Sequence, residues 1–144
     1  MLTENDVNKM EIKFKGIIDN IKFIRNTCAM FLYPLDLTES FVNELKIVVS
    51  EAVTNAIVHG YEGVVNDIDL KMEFSKDVIE IVIKDYGIGI DDINKAREPL
   101  FTTKPSEERS GLGFTIMEMF LDSLEVISNK DEGTTLICRK YING

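Results

Sequence analysis

Positive charge is scarce in this chain. Sixteen Lys and Arg stand against twenty-five Asp and Glu, a net charge of −9. A nucleic-acid binder normally presents a basic face, so any effect on transcription is expected to pass through another protein. Long apolar runs are missing: none approaches the roughly 20 residues that a bilayer span requires. The first six residues have neither the basic start nor the apolar stretch of a secretory signal. Cysteine is limited to Cys28 and Cys138. Their spacing is not that of metal ligands, and they read as two buried free thiols, not as a disulfide or a ligand pair. A reducing, cytoplasmic setting is the expectation. Repeats, low-complexity tracts and an interdomain linker are also absent. The 144 residues therefore predict a single domain, of the usual size of roughly 100–200 residues.

What is present is ordinary apolar material, 44% of the chain, enough for one core. Residues 10–15 alternate as a strand. Ile18, Ile21, Ile24, Cys28, Phe31 and Leu32 fall at helical spacing over 17–32, and Pro34 stops that helix. Thr38 is a good N-cap for a longer helix running to about His59, with Gly60 closing it. Residues 68–74 and 78–85 read as strands, and 91–97 as a short helix. Residues 98–110 are polar, hold two prolines and read as a mobile loop. A third main helix follows over 112–121. Strands at 124–128 and 134–141 close the chain as a hairpin around Asp131, Glu132 and Gly133. Helices grouped with a mixed, mostly antiparallel sheet predict an α/β two-layer sandwich, its helices on one face.

Three motifs carry chemistry. Glu51, Asn55 and His59 stand four apart, each step turning only about 40° around a helix, so they line one edge beside the apolar stripe of Leu45, Val48, Val49, Ala52, Val53, Ala56 and Ile57. Alone, such spacing is common on solvated helix faces. It also offers a carboxylate that can deprotonate a hydroxyl and an amide oxygen suited to Mg²⁺. Asp85 ends an apolar strand and precedes Gly87 and Gly89. That is either a plain glycine turn or a buried acceptor for an adenine amino group, with Thr134 adding a hydroxyl. Gly111, Leu112 and Gly113 open a helix, where free N–H groups and the macrodipole favour an anion. No Gly-Lys-Ser/Thr follows, the third glycine of a dinucleotide fingerprint is missing, and no strand leads in. The nucleotide fold must be another one.

In order and content the motifs resemble the N, G1 and G2 boxes of the GHKL ATPases, which include DNA gyrase, heat-shock chaperones, mismatch-repair ATPases and histidine kinases. The likeness covers nearly all the chain after Lys9, with residues 1–9 as an N-terminal extension and 62–66 as a short connection. The longer strings around Val48–Ala56 and Pro99–Met117 are similar to those of small serine kinases that act as anti-sigma factors in endospore-forming bacteria. The resemblance implies roles. Glu51 would be the general base toward a protein serine, Asn55 would hold Mg²⁺, and Asp85 would read adenine beside Gly87 and Gly89. Gly111, Leu112 and Gly113 would cradle the phosphates of ATP or ADP, with Ser110 and Phe114 flanking them. Thr103, Lys104 and Arg109 would belong to a lid, Arg109 touching the γ-phosphate. Lys104 and Arg109 would also supply the local positive charge that so acidic a protein needs around ATP.

The implied partners are a sigma factor, held by a homodimer, and an anti-anti-sigma protein phosphorylated on serine. The first helix and strand are the expected docking surface, with Arg25 a charge on an otherwise apolar helix. A stress-response anti-sigma kinase would carry similar boxes. A detached histidine-kinase ATPase domain would need a separate phosphoacceptor helix, and the single histidine, His59, lies inside the N box. A gyrase-type clamp would need transducer domains for which the chain has no room.

Overall fold

The computed structural model describes residues 7–61, 64–98 and 113–142. Its elements run β1 (Asn8–Lys15), α1 (Asp19–Phe31), a 3₁₀ turn (Tyr33–Leu35), α2 (Glu39–Asn55), a π turn (Ala56–Gly60), β2 (Asp67–Phe74), β3 (Val78–Asp85), α3 (Ile93–Ala96), α4 (Gly113–Phe120), β4 (Ser123–Asn129) and β5 (Gly133–Tyr141). The strands form one sheet in the order β1-β2-β3-β5-β4. Every pairing is antiparallel, so the antiparallel part of the expectation accounts for the whole described sheet. β1 starts earlier than residue 10 and takes up Asn8 and Lys9, paired with Phe74 and Glu73.

Register explains the core. Ile12, Leu70, Ile83, Leu136 and Val126 stand opposite one another across all five strands, and Met10, Met72, Ile81, Cys138 and Leu124 form the next row. Alternation places all of them on one face, where Leu70, Met72, Ile81, Ile83, Leu136 and Cys138 are buried. The opposite face carries ion pairs across strands, Glu80 with Arg139 and Lys13 with Asp69. The helices cover the apolar face with Ile24 and Cys28 from α1, Leu45, Val48, Val49, Ala52 and Val53 from α2, and Met117 from α4. Both cysteines are free and buried, and burial pushes each thiol up to about 12.

Thr38 caps α2 as expected, its Oγ1 accepting the Phe41 N–H at 3.2 Å. The end of α2 differs from expectation. Regular α-helix stops at Asn55, and the last turn widens so that the Tyr61 N–H bonds the Ala56 carbonyl at 3.0 Å, five residues back. Such widened turns are rare and recur at functional sites. The expected helix over 91–97 is a single turn, capped by Asp92, whose Oδ1 accepts the Lys95 N–H at 3.0 Å. Of the third main helix, the described part is α4, so its expected first residue, Leu112, lies outside the described residues. No helix among the described residues is long and apolar enough to cross a membrane.

Candidate functional site

At one end of the sheet the core face turns polar. Beyond Ile83 and Leu136, the next residues of the same alternation are Asp85, Thr134 and Ser128, and Thr134 is the register partner of both others. A carboxylate and two hydroxyls thus form one row across three adjacent strands, at the edge of an otherwise apolar layer. Asp85 is only 6% exposed. Its Oδ1 accepts the Gly87 N–H at 2.9 Å, and the backbone of Thr134 also bonds it. Burial pushes the carboxyl above its usual range, against the opposite pull of those two backbone bonds.

The row opens on a cavity of about 350 Å³, within the usual range of roughly 300–1,000 Å³ for small-molecule sites. Asp85, Thr134, Ile83 and Leu136 reach it from the sheet. Ile88, Gly89 and Ile90 come from the loop after β3, Asn55 and His59 from the end of α2 and the π turn, and Gly113 and Phe114 from α4. A largely apolar cavity with a buried carboxylate in its lining suits a heterocyclic base carrying an amino group.

The loop after β3 is held from below. A Cβ on Gly87 would lie 2.0 Å from the Gly60 carbonyl oxygen, so only glycine permits this contact. The Ile88 N–H bonds that same carbonyl at 2.9 Å. Gly89 has φ of 81°, the left-handed region that glycine enters freely. The Asp131 N–H then bonds the Ile88 carbonyl at 2.7 Å, fastening the loop to the β4–β5 hairpin. Gly87 therefore shapes the loop without lining the cavity.

Glu51 and Asn55 meet at the start of α4. A Cβ on Gly113 would lie 3.2 Å from Asn55 Oδ1 and 3.3 Å from Glu51 Oε2, so the absence of a side chain lets the helix end close on both. Asn55 Nδ2 is buried without a hydrogen-bond partner among the described residues. Leaving such a group unpaired is costly, so this amide fits a site completed by a ligand. Its oxygen is the hard donor that Mg²⁺ prefers, alongside phosphate oxygens and water. Among the described residues no three His, Cys, Asp or Glu side chains converge as a metal cage. Asn55 thus shares one neighbourhood with Glu51 and another with Asp85 and His59.

The expected phosphate and lid residues Thr103, Lys104, Arg109, Ser110, Gly111 and Leu112 lie outside the described residues, as does most of the loop over 98–110. Of the described lining residues, Lys95 and His59 are the basic ones. Lys95 escaped the sequence reading because nothing local ties α3 to the cavity. Tyr61 escaped it too: its hydroxyl accepts the Tyr86 N–H at 2.9 Å and donates to the Asp67 carbonyl, joining the π turn to β2 and β3. Ser128 reads locally as a polar strand residue and gains meaning only from its partner Thr134.

A histidine kinase-like ATPase domain matches residues 19–140. The chain belongs to that family. Within it the chain is 49% identical over 137 residues, 94% of either chain, to an anti-sigma F factor of Bacillus cereus (strain G9842). Anti-sigma F factors of Bacillus thuringiensis (strain Al Hakam) and Bacillus mycoides (strain KBAB4) are 48% identical over the same share. The GHKL-type sandwich expected from the boxes is the fold observed, and membership in this family implies ATP binding.

Proposed function

We propose that this protein is an anti-sigma factor and an ATP-dependent protein serine kinase, which sequesters a sporulation sigma factor and phosphorylates an anti-anti-sigma protein on serine. One observation carries the reading. Asp85, Asn55 and the start of α4 surround a single cavity, with Glu51 beside Asn55 against Gly113, in a chain whose relatives are named anti-sigma F factors. Asp85 accepts the adenine amino group, and Ile83, Leu136 and Ile88 hold the ring. The phosphates then extend toward Gly113, past Asn55.

Glu51 takes the proton of the acceptor serine as its oxygen attacks the γ-phosphorus. The bond from that phosphorus to the β–γ bridging oxygen breaks, leaving phosphoserine and ADP. Mg²⁺, when bound, neutralises charge on the phosphate oxygens, and Asn55 is the residue that would hold it. Cytoplasmic location and a homodimer belong to the same proposal. So does docking of the partners on α1, where Phe23 and Met30 are exposed and Arg25 keeps a buried Nε without a partner among the described residues.

Glu51→Gln tests the kinase apart from the inhibitor. The amide keeps the polar shape and removes the base, whose loss typically costs about 10²–10⁴ in rate. The variant is expected to bind ATP with wild-type affinity and still repress transcription by the sigma factor, yet fail to transfer labelled phosphate to the anti-anti-sigma protein. Transfer at the wild-type rate would remove Glu51 from the chemistry. Loss of ATP binding would make it a structural group.

A further inference from the structure

α3 is a wall of the cavity with little to hold it. It spans four residues and buries none of them, and so short a helix is not stable by itself. Yet Asp92, Lys95 and Ala96 line the cavity, so the place of this turn sets the shape of the site on that side. Its backbone is closed locally: Asp92 caps it, and the Arg97 N–H bonds the Ile93 carbonyl at 3.1 Å. Those bonds shape the turn without locating it.

Two longer-range contacts locate it. Upstream, the Ile90 N–H bonds Ser128 Oγ at 2.7 Å. Downstream, Arg97 Nε and Nη2 both donate to Glu118 Oε1, Nε at 2.6 Å, across 21 residues of sequence. Such charge-assisted bonds are shorter and stronger than neutral ones. The two partners are anchored unequally. Glu118 follows the fully buried Met117, on a helix whose first residues Gly113 and Phe114 line the same cavity. Arg97 closes a turn that buries nothing, so the pair hangs a loose wall on a fixed one. Neither Arg97 nor Glu118 is among the described lining residues. We propose that the Arg97–Glu118 pair is a positioning device for nucleotide retention, keeping α3 and the start of α4 at the spacing that a bound nucleotide spans. Ordering done before the ligand arrives need not be repeated on binding. This inference rests on the reading of the cavity as an ATP site.

The test follows release of a ribose-labelled fluorescent ADP from the full chain by stopped flow, with ATP affinity measured by titration calorimetry. Arg97→Ala and Glu118→Ala are each expected to release ADP about two- to fivefold faster, the range of a partly exposed ion pair. ATP should bind weaker by a similar factor, with dissociation changing more than association. The double variant should be no worse than either single one, because both singles break the same contact. Glu118→Gln, equal in length and uncharged, should match Glu118→Ala, and it carries the comparison if an alanine variant unfolds. A pair that only stabilises the fold would lower the nucleotide-free Tm and leave release unchanged, and that outcome would overturn the inference. Additive losses in the double variant would overturn it too, since the two residues would then act separately. A wild-type chain that binds neither nucleotide would overturn the ATP reading itself.

Discussion

Asp85 concentrates the conflict between stability and function in one side chain. Burial disfavours its charge, while an amino group in the cavity needs that charge as an acceptor. Nucleotide affinity should therefore fall as the pH drops through the raised folded-state value, earlier than for an ordinary carboxylate. Stability of the nucleotide-free protein should move the other way. Over that window the folded chain keeps a proton that the unfolded chain has lost, so the contribution is full below the unfolded value and fades as the pH rises through the folded one. Asp85→Asn is expected to abolish this slope and to weaken ATP by about 1.5–3 kcal/mol, the range of a charge-assisted bond. Calorimetry and thermal melts from pH 4 to 8 check both signs. Gly87→Ala is a second residue-scale test. Its Cβ would overlap the Gly60 carbonyl, so a loss of about 1–3 kcal/mol or more is expected by denaturant titration, with ATP binding falling as well.

At the scale of elements, the site is made by ends. α2 contributes Asn55 at its last regular turn, β3 contributes Asp85 at its last residue, and α4 contributes Gly113 at its first described one. The rest of each element anchors its end in the core. A change at the far end of α2 should therefore reach stability before it reaches the site. Thr38→Ala removes the cap at the opposite end from Asn55. It is expected to cost about 1 kcal/mol in urea unfolding and to leave ATP affinity unchanged within about twofold, because the interior of α2 stays packed through Leu45, Val48, Val49, Ala52 and Val53. A large fall in affinity would mean that the cap, not the core, sets the position of Asn55.

For the molecule as a whole, the candidate nucleotide bridges the sheet, the β4–β5 hairpin, α2 and α4, so its binding should be felt by the entire fold. With ATP at about a hundred times its Kd, mass action adds roughly 2.7 kcal/mol to stability. For a chain of this length that raises Tm by roughly 8–12 °C, at a few degrees per kcal/mol. The same addition to Asp85→Asn, weakened by about 1.5–3 kcal/mol, should add only roughly 0.3–1.3 kcal/mol and raise Tm correspondingly less. The acidity, −9 overall, gives a further molecular-scale sign. Net repulsion of an anionic ligand is screened by salt, so association of Mg-ATP should quicken between low salt and physiological ionic strength. Stopped-flow measurement would check that direction.

Local pattern determined most of the elements, because helix and strand periods are properties of neighbouring residues. Thr38 marked the cap, Pro34 the end of α1, and the alternation of Ile79, Ile81 and Ile83 the strand that ends in Asp85. It also singled out Asp85, Asn55, Thr134 and Gly113, which the fold brings to one cavity. The π turn was not legible there, since it depends on how α2 meets β3 and the Gly87 loop. Lys95, Tyr61 and Ser128 were equally silent, each being an ordinary polar residue until a distant strand or helix is set against it. Register alone made Ser128 the partner of Thr134 and Thr134 the partner of Asp85. Sequence supplies the chemical groups, but which of them share a row is fixed by strand pairing, whose contacts join residues far apart in the chain.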